Sequence, residues 1–350
     1  QQEKEFQPPL LKAGDNRSFK VYMPEVSKVS TVHIAADDLR KVKLHDGSER
    51  ELLKVRITQS ALPGIGMRHY LDATGKALRI EADLLGMVTY EVHRDDALQE
   101  IVGEELDVAV NTIVTVKNPP VSLNNQRSAV LHITTPGRDV TELVPVSATQ
   151  AVKRLTDDSV ELTVTALTPP KNIQKSRNEQ RDYLGSTDYL QTRDYRVIDH
   201  ARRATAGSLD PGTIAVRMES YVFREMKKKN FSTILGSAAE VAKSMEGDCT
   251  EHAVLLAAML RTQEIPARVA VGLVYSARLS GFGGHMWTEA WLDGQWIPLD
   301  ATLGQAGIGA GHIKLADSDL GDGGPAPVTA FMPLMSLLND VQIEVVRFSR

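Results

Sequence analysis

One thiol stands in the chain, Cys249, within Gly247-Asp248-Cys249-Thr250-Glu251-His252 and directly before the apolar run Ala253 to Leu260. A run that is apolar on every side reads as a buried helix. Asp248 is a strong N-cap residue, and Glu251 three positions on completes a variant of the capping box. Cys249 then takes the first helical position. Unpaired backbone N–H groups and the positive end of the helix dipole favour a thiolate there. A thiolate is a nucleophile, so the chemistry to look for is covalent thiol catalysis. That chemistry also needs a base and a group that orients the base.

Both candidates lie downstream. Gly281-Phe282-Gly283-Gly284-His285-Met286-Trp287-Thr288-Glu289-Ala290-Trp291 and Gln295-Trp296-Ile297-Pro298-Leu299-Asp300-Ala301-Thr302 flank Asp293-Gly294, a strong two-residue hairpin signal. A two-residue turn sets Leu292 opposite Gln295, Trp291 opposite Trp296, Trp287 opposite Asp300 and His285 opposite Thr302. Opposed residues share a face of a sheet, so His285, Trp287, Asp300 and Thr302 lie on one side. His285 and Asp300 become diagonal neighbours, which is within reach for bulky side chains. The expected pair is a His285 base whose Nδ1 is held by the Asp300 carboxylate. Gly283 and Gly284 read as a loop that approaches the nucleophile helix closely.

The strings GDCTEHAVLLAAMLRTQEIPARVAVGLVY and GFGGHMWTEAWLDGQWIPLDATLGQ resemble the core of the transglutaminase-like superfamily. The likeness spans about Asp194 to Gln305 and rests on three motifs in the right order. It implies a papain-like cysteine, histidine, aspartate triad, with Cys249 as nucleophile, His285 as base and Asp300 as orienting carboxylate. Met286 stands where a small residue commonly follows the histidine, and Ala301 where proline commonly follows the aspartate. Neither departure removes a catalytic group. The resemblance implies a protein or peptide substrate and a thioester intermediate. Hydrolysis by a cysteine peptidase or amidase is slightly preferred to transfer by a protein-crosslinking transglutaminase. A non-catalytic scaffold is the alternative from another class.

Other residues read more plainly. Trp287, across from Asp300, is placed to shield the His–Asp pair from water, whereas Trp291 and Trp296 read as core between sheet and helix. Cys249-x-x-His252 is too little for zinc, which needs three or four ligands, so His252 reads as packing beside the first helical turn and Glu251 as a cap. Lys227-Lys228-Lys229 reads as a solvated helix end. Asp317 to Asp322 is at most a weak calcium site. No cofactor and no metal are expected. One oxyanion donor is the Cys249 backbone N–H, and the second is not identifiable from one sequence.

With 42% hydrophobic and 24% charged residues, the composition is that of an ordinary globular protein. A net charge of −5 lacks the basic face that nucleic-acid binding needs. No run of about 18 apolar residues occurs, so no membrane span is expected. A single cysteine forms no internal disulfide and is compatible with either redox compartment. The chain begins Gln1-Gln2-Glu3, and bacterial proteins of this appearance are often exported. The expected location is therefore periplasm or cell envelope, with cytoplasm as the alternative. Oligomeric state is not legible.

The expected fold class is α+β. A β-rich region over residues 1–170, with a possible internal split near 118–125, precedes a papain-like core over 171–350 made of a helix bundle and an antiparallel sheet. Strand candidates in the first region are Val29–Ala35, Leu52–Gln59, Arg68–Leu71, Leu78–Glu81, Val88–His93, Leu106–Val116, Val130–Thr134, Val140–Val144 and Val160–Ala166, with a short helix over Asp95–Val102. Asn118-Pro119-Pro120 and Thr168-Pro169-Pro170 interrupt the pattern, and the polar stretch Lys171 to Asp182 reads as the boundary. Helices follow at Tyr195–Ala206, Ile214–Lys229 and Ser237–Met245. Strands follow at Ala267–Tyr275, around His285 and around Trp296. Gly304 to Gly324 reads as loop and Gln342–Phe348 as a final strand.

Overall fold

The computed structural model describes residues 10–23, 28–60, 66–82, 88–97, 113–117, 119–174, 179–226, 235–321, 331, 334, 337 and 341–349. The chain divides into two compact units, Gln1–Glu104 and Glu105–Arg350.

The first unit is a six-stranded antiparallel meander in chain order: β1 (Asn16–Met23), β2 (Lys28–Lys43), β3 (Glu49–Gln59), β4 (Met67–Leu71), β5 (Ala77–Ala82) and β6 (Val88–Tyr90). Asp46-Gly47 and Thr74-Gly75 turn the chain where the sequence signals turns, with positive φ at both glycines. Ala36, Leu53 and Val55 form a small core. Strand β1 carries no strong pattern and sits at the sheet edge with Phe19 and Tyr22 exposed, which explains why it is hard to read from sequence. A short helix α1 (Arg94–Ala97) opens the predicted Asp95–Val102 helix, whose remainder lies outside the described residues.

Four helices of the second unit bear on the site: α2 (Tyr195–Thr205), α3 (Pro211–Glu225), α4 (Ala238–Ser244) and α5 (Cys249–Thr262). Each starts on a cap that the sequence carries. Asp194 accepts from the Arg196 N–H, and Asp210 accepts from the Thr213 N–H with Pro211 in the first turn. Ser237 forms a capping box with Glu240. Helices α2, α3 and α4 surround α5, which lies on the sheet and is buried from Thr250 to Arg261. Residues 227–229 lie outside the described residues.

The sheet combines β7 (Val114–Lys117), β8 (Ser128–Thr134), β9 (Gln150–Arg154), β10 (Ser159–Thr165), β11 (Ala267–Ser276), β12 (Gly281–Leu292), β13 (Gln295–Leu299), β14 (His312–Ser318) and β15 (Gln342–Ser349). The order is β14-β11-β12-β7-β15-β8-β10-β9, with β13 paired to β12. Among the described residues every pair is antiparallel except β7 with β15, so the strands of the expected core, β11 to β14, form an antiparallel group, and the one parallel pair joins β15 to a strand from the region read as N-terminal.

The division of the chain also differs from the expected one at residue 170. Strand β7 pairs with β12 at Gly281 and Phe282, and β15 bridges β7 to β8. Strands β7 to β10 thus belong to the second unit, because ladder bonds across the prolines outweigh the local linker signal. Val140–Glu142 is a turn of 3-10 helix rather than a strand, since Asp139 caps it through the Thr141 N–H. Within the stretch read as loop, residues 312–318 form β14, hidden in the sequence by its glycine-rich flanks.

Candidate active site

Cys249 opens α5 as its sequence dictates. The Asp248 carboxylate accepts from the Thr250 N–H at 3.0 Å, and Glu251 reaches back to accept from the Asp248 N–H at 3.0 Å. Glu251 Oε1 also accepts from the Gly236 N–H at 2.7 Å, which ties the segment before α4 to the nucleophile turn. Gly247 has φ +145°, and a Cβ there would lie 2.3 Å from the Glu251 Cβ, so only glycine lets Glu251 fold back. Burial, then the neighbouring Glu251 carboxyl, pushes Asp248 up to about 7. His252 is buried and its Nδ1 donates to the Asp248 carbonyl, so it packs against the first turn. Cys249 itself is half-buried.

The hairpin has the expected register. Asp293 and Gly294 both have positive φ, as a two-residue turn of this kind demands, and Leu292 pairs with Gln295 and Trp291 with Trp296. The ladder ends at Leu299, so Asp300 leaves the strand and turns inward. Its Oδ1 accepts from the Thr302 N–H at 2.8 Å and the Leu303 N–H at 3.2 Å. Its Oδ2 accepts from His285 Nε2 at 2.8 Å. The contact therefore forms through Nε2 rather than the expected Nδ1. Cys249 acts on the His285 ring to raise its pKa, and Nδ1 is the ring nitrogen that Asp300 does not take. The structure thus brings Cys249, His285 and Asp300 together.

A fourth residue, His312, joins them unannounced. Its Nε2 donates to the same Asp300 oxygen at 2.9 Å. One carboxylate oxygen receiving two imidazole nitrogens requires each ring to carry a proton on Nε2. His312 is 1% exposed and Asp300 fully buried. Burial alone would raise the Asp300 pKa, but the charge and hydrogen bond of His285, then the bond of His312, hold it well below the usual carboxylate range. Burial draws His285 down, while Asp300 and then Cys249 outweigh it and lift the ring to about 10. Burial depresses His312, despite Asp300, and favours a neutral ring. Its Nδ1 has no hydrogen-bond partner of good geometry, although the Gly309 backbone is near enough to favour the charged form. The signal for His312 was the alternation of His312 and Lys314 with Ile313 and Leu315 inside the glycine-rich stretch.

Helix α3 contributes Glu219, also fully buried. Its Oε2 accepts from the Gly307 N–H at 3.1 Å, which pins the loop between Asp300 and His312. Burial, followed by the nearby Asp300 charge, raises its pKa to about 8.

Trp287 is 2% exposed, and its ring stacks on His285 at 6.2 Å between centroids and meets His312 edge-on at 5.4 Å. It packs against the imidazole rings of both His285 and His312. Trp291 and Trp296 do not form the core between sheet and helix. They are half-buried and pack edge-to-face at 5.3 Å, with the Arg268 guanidinium 4.0 Å over the Trp296 ring and Trp291 Nε1 donating to Glu179 at 2.7 Å. They border a cleft of about 390 Å³ with Glu289, Lys314 and Asp317. This cleft lies along β12 from His285, six residues or about 20 Å away at Trp291. The glycines before His285 lie in β12 rather than a loop. A Cβ on Gly281 would sit 2.5 Å from the Val114 carbonyl, so glycine there admits β7. Asp317 pairs with Arg268 at 2.7 Å and Lys314 at 2.8 Å, which commits it to ion pairs rather than calcium, and Asp322 lies outside the described residues.

The buried helix with a thiol at its tip and the hairpin with its imidazole–carboxylate pair coincide with a known family. Residues 198–301 match the model of the transglutaminase-like superfamily. The chain carries a transglutaminase-like domain. The match runs from Ile198 within α2 to Ala301, the residue after Asp300. Among solved structures, a provisionally assigned cysteine protease from Cytophaga hutchinsonii is 15% identical, with a TM-score of 0.41 over 63% of this chain and 81% of that one. The periplasmic domain of TgpA from Pseudomonas aeruginosa is 12% identical, with a TM-score of 0.30 over 54% of this chain and 93% of that one. No curated protein matches the chain. No described helix is long and apolar enough to cross a membrane.

Proposed function

We propose that the transglutaminase-like domain is a thiol hydrolase acting on peptide or glutamine carboxamide bonds, with Cys249 as nucleophile, His285 as base and Asp300 as the carboxylate that orients it. The observation that carries this reading is the 2.8 Å bond from His285 Nε2 to Asp300, which leaves Nδ1 for the sulfur at the start of α5.

His285 Nδ1 takes the thiol proton, and the imidazolium is stabilised by Asp300. The sulfur attacks the carbonyl carbon, and the electron pair of the C=O bond moves onto oxygen. The Cys249 N–H, at a helix start, is one donor to that oxyanion. Collapse reforms C=O and breaks the C–N bond, and the amine or ammonia leaves with the proton from His285. The product is a thioester on Cys249. His285 then takes a proton from water, the hydroxide carbon–oxygen bond forms, and the thiolate is expelled. His312 donates to the same Asp300 oxygen as His285 and so helps to hold the carboxylate in place.

The test is incubation of the chain with a glutamine-containing protein and a labelled primary amine. New peptide ends, or conversion of glutamine to glutamate without amine incorporation, lost in Cys249→Ala, support hydrolysis. Cys249-dependent incorporation of the amine would instead make the acceptor a lysine-type amine and the enzyme a crosslinking transglutaminase. An inert Cys249 towards iodoacetamide, with no turnover of either kind, would overturn the thiol reading in favour of a scaffold.

A further inference from the structure

Among the described residues, His285, Asp300 and His312 form one trio whose ligand atoms all lie within 4.8 Å of one another, and all three residues are buried. We infer that these three side chains bind one divalent transition ion of the zinc class, and that the bound ion switches the thiol centre off. The donor set is two imidazole nitrogens and one carboxylate oxygen, which suits zinc and its neighbours rather than calcium or magnesium. The regulatory half of this inference rests on the proposed thiol chemistry; the binding half does not.

Geometry favours the site. Both Nε2 atoms already point at one oxygen, at 2.8 and 2.9 Å. Ligands at about 2.0 to 2.2 Å around a tetrahedral ion lie about 3.3 Å apart, so each contact needs to open by only about 0.5 Å. Three elements fix the ligands: β12 holds His285, the turn after β13 holds Asp300, and β14 holds His312. Asp300 is further fixed by the Thr302 and Leu303 N–H groups. His285, at 7% exposure, is the most accessible of the trio and adjoins the half-buried thiol. The zinc-type motif that the sequence offered was Cys249-x-x-His252, and His252 is turned to the Asp248 carbonyl instead.

The mechanism of inhibition follows from proton placement. The metal takes the Nε2 lone pairs of both rings. His285 releases its Nε2 proton to solvent and keeps the one on Nδ1. His312 moves its single proton from Nε2 to Nδ1 through solvent. No electron changes hands. With Nε2 on the metal, His285 can pass on its Nδ1 proton only by becoming an imidazolate, so it can neither protonate the departing amine nor reopen a lone pair for a thiol or water, and Asp300 is no longer its partner. The metal need not touch sulfur to stop the reaction.

The experiment is calorimetric titration of Zn2+ into Cys249→Ala, which removes the thiol as a competing ligand, and into Cys249→Ala with His312→Gln. One ion per chain in the first protein and affinity weaker by at least about 100-fold in the second is the expected result. No binding to Cys249→Ala, or equal binding to both, overturns the inference. Should the double variant fail to fold by circular dichroism, Co2+ in Cys249→Ala gives a second readout. Two exchangeable, hyperfine-shifted imidazole N–H signals are expected, one from each Nδ1, and their absence overturns the site. In the unmodified chain Zn2+ should suppress iodoacetamide labelling of Cys249 and a chelator should restore it. Binding without any effect on labelling overturns the switch. A chain that binds zinc as expected yet shows no thiol turnover overturns the proposed function and leaves the metal site standing.

Discussion

His285 and Glu289 lie four residues apart on β12, and His312 and Lys314 lie two apart on β14, so alternation puts all four on one face of the sheet. The first and third of these meet on Asp300; the second and fourth meet each other. Lys314 Nζ contacts both Glu289 oxygens, at 2.9 and 2.7 Å, and Asp317 at 2.8 Å. Arg268 closes the second cluster against Glu289 at 2.8 Å and Asp317 at 2.7 Å. Two cations thus match two anions, and every charge has a dedicated opponent. In the first cluster one anion serves two imidazoles and a thiol competes for one of them. The imidazoles and carboxylate of the first cluster are buried throughout, whereas in the second Glu289 and Lys314 are buried, Arg268 is half-buried and Asp317 is exposed. The chemical difference lies in the number of protons that can be shared, and a shortage of fixed positive charge is what leaves the first cluster able to do acid–base chemistry.

The comparison breaks most visibly if its central anion is neutralised. Asp300→Asn should lower kcat/KM by about 10³- to 10⁴-fold, read as Cys249-dependent turnover, because the orienting charge and the required tautomer go together. A loss under about tenfold would mean that Asp300 only packs. Next comes the ion-paired cluster. Lys314→Met leaves Glu289 and Asp317 facing Arg268 alone and should cost about 3 to 5 kcal/mol in urea unfolding, with turnover per folded molecule little changed. A large drop in turnover with intact stability would show that the two clusters are one.

Glu219 sharpens the contrast through pH. A carboxyl held near 8 in the folded chain, against an ordinary 4.5, keeps its proton more tightly when folded. Stability must therefore fall as pH rises from about 4.5 to about 8. Glu219→Gln should remove that slope and gain, relative to the native chain, on the order of a few kcal/mol between pH 5 and pH 8.5, measured by unfolding at each pH. Identical pH profiles for both proteins would place the carboxyl in contact with water. The smallest effect belongs to Trp287→Phe. An aromatic cover is kept but thinned, and kcat/KM should fall by a few-fold, about 0.5 to 1 kcal/mol, with KM steady. An unchanged kcat/KM would count against shielding.

Much of the site was legible because it is built from local signals. Asp248 and Glu251 announce the start of α5, and Asp293-Gly294 sets the register that carries His285 towards Asp300. What escaped is non-local. His312 sits in a strand whose flanks are glycine-rich, and its meeting with Asp300 depends on β11 lying between β14 and β12. Which imidazole nitrogen faces the carboxylate depends on a ring rotation that spacing does not encode. Trp291 and Trp296 were misplaced because alternation gives a face but not what covers it; here Arg268 and a solvent cleft do so in part. The domain edge was misread for a related reason: prolines mark a local bend, whereas strand partners are chosen across the whole unit.

Strand β15 has a temporal consequence. It is the slat between β7 and β8, pairing Ile343 with both Val116 and Ile133. During synthesis those two earlier strands must wait, edges bare, for more than two hundred further residues to leave the ribosome. Closing so long a loop makes late, slow consolidation the natural order of events. The nascent domain is thus exposed to chaperones or to aggregation until β15 arrives.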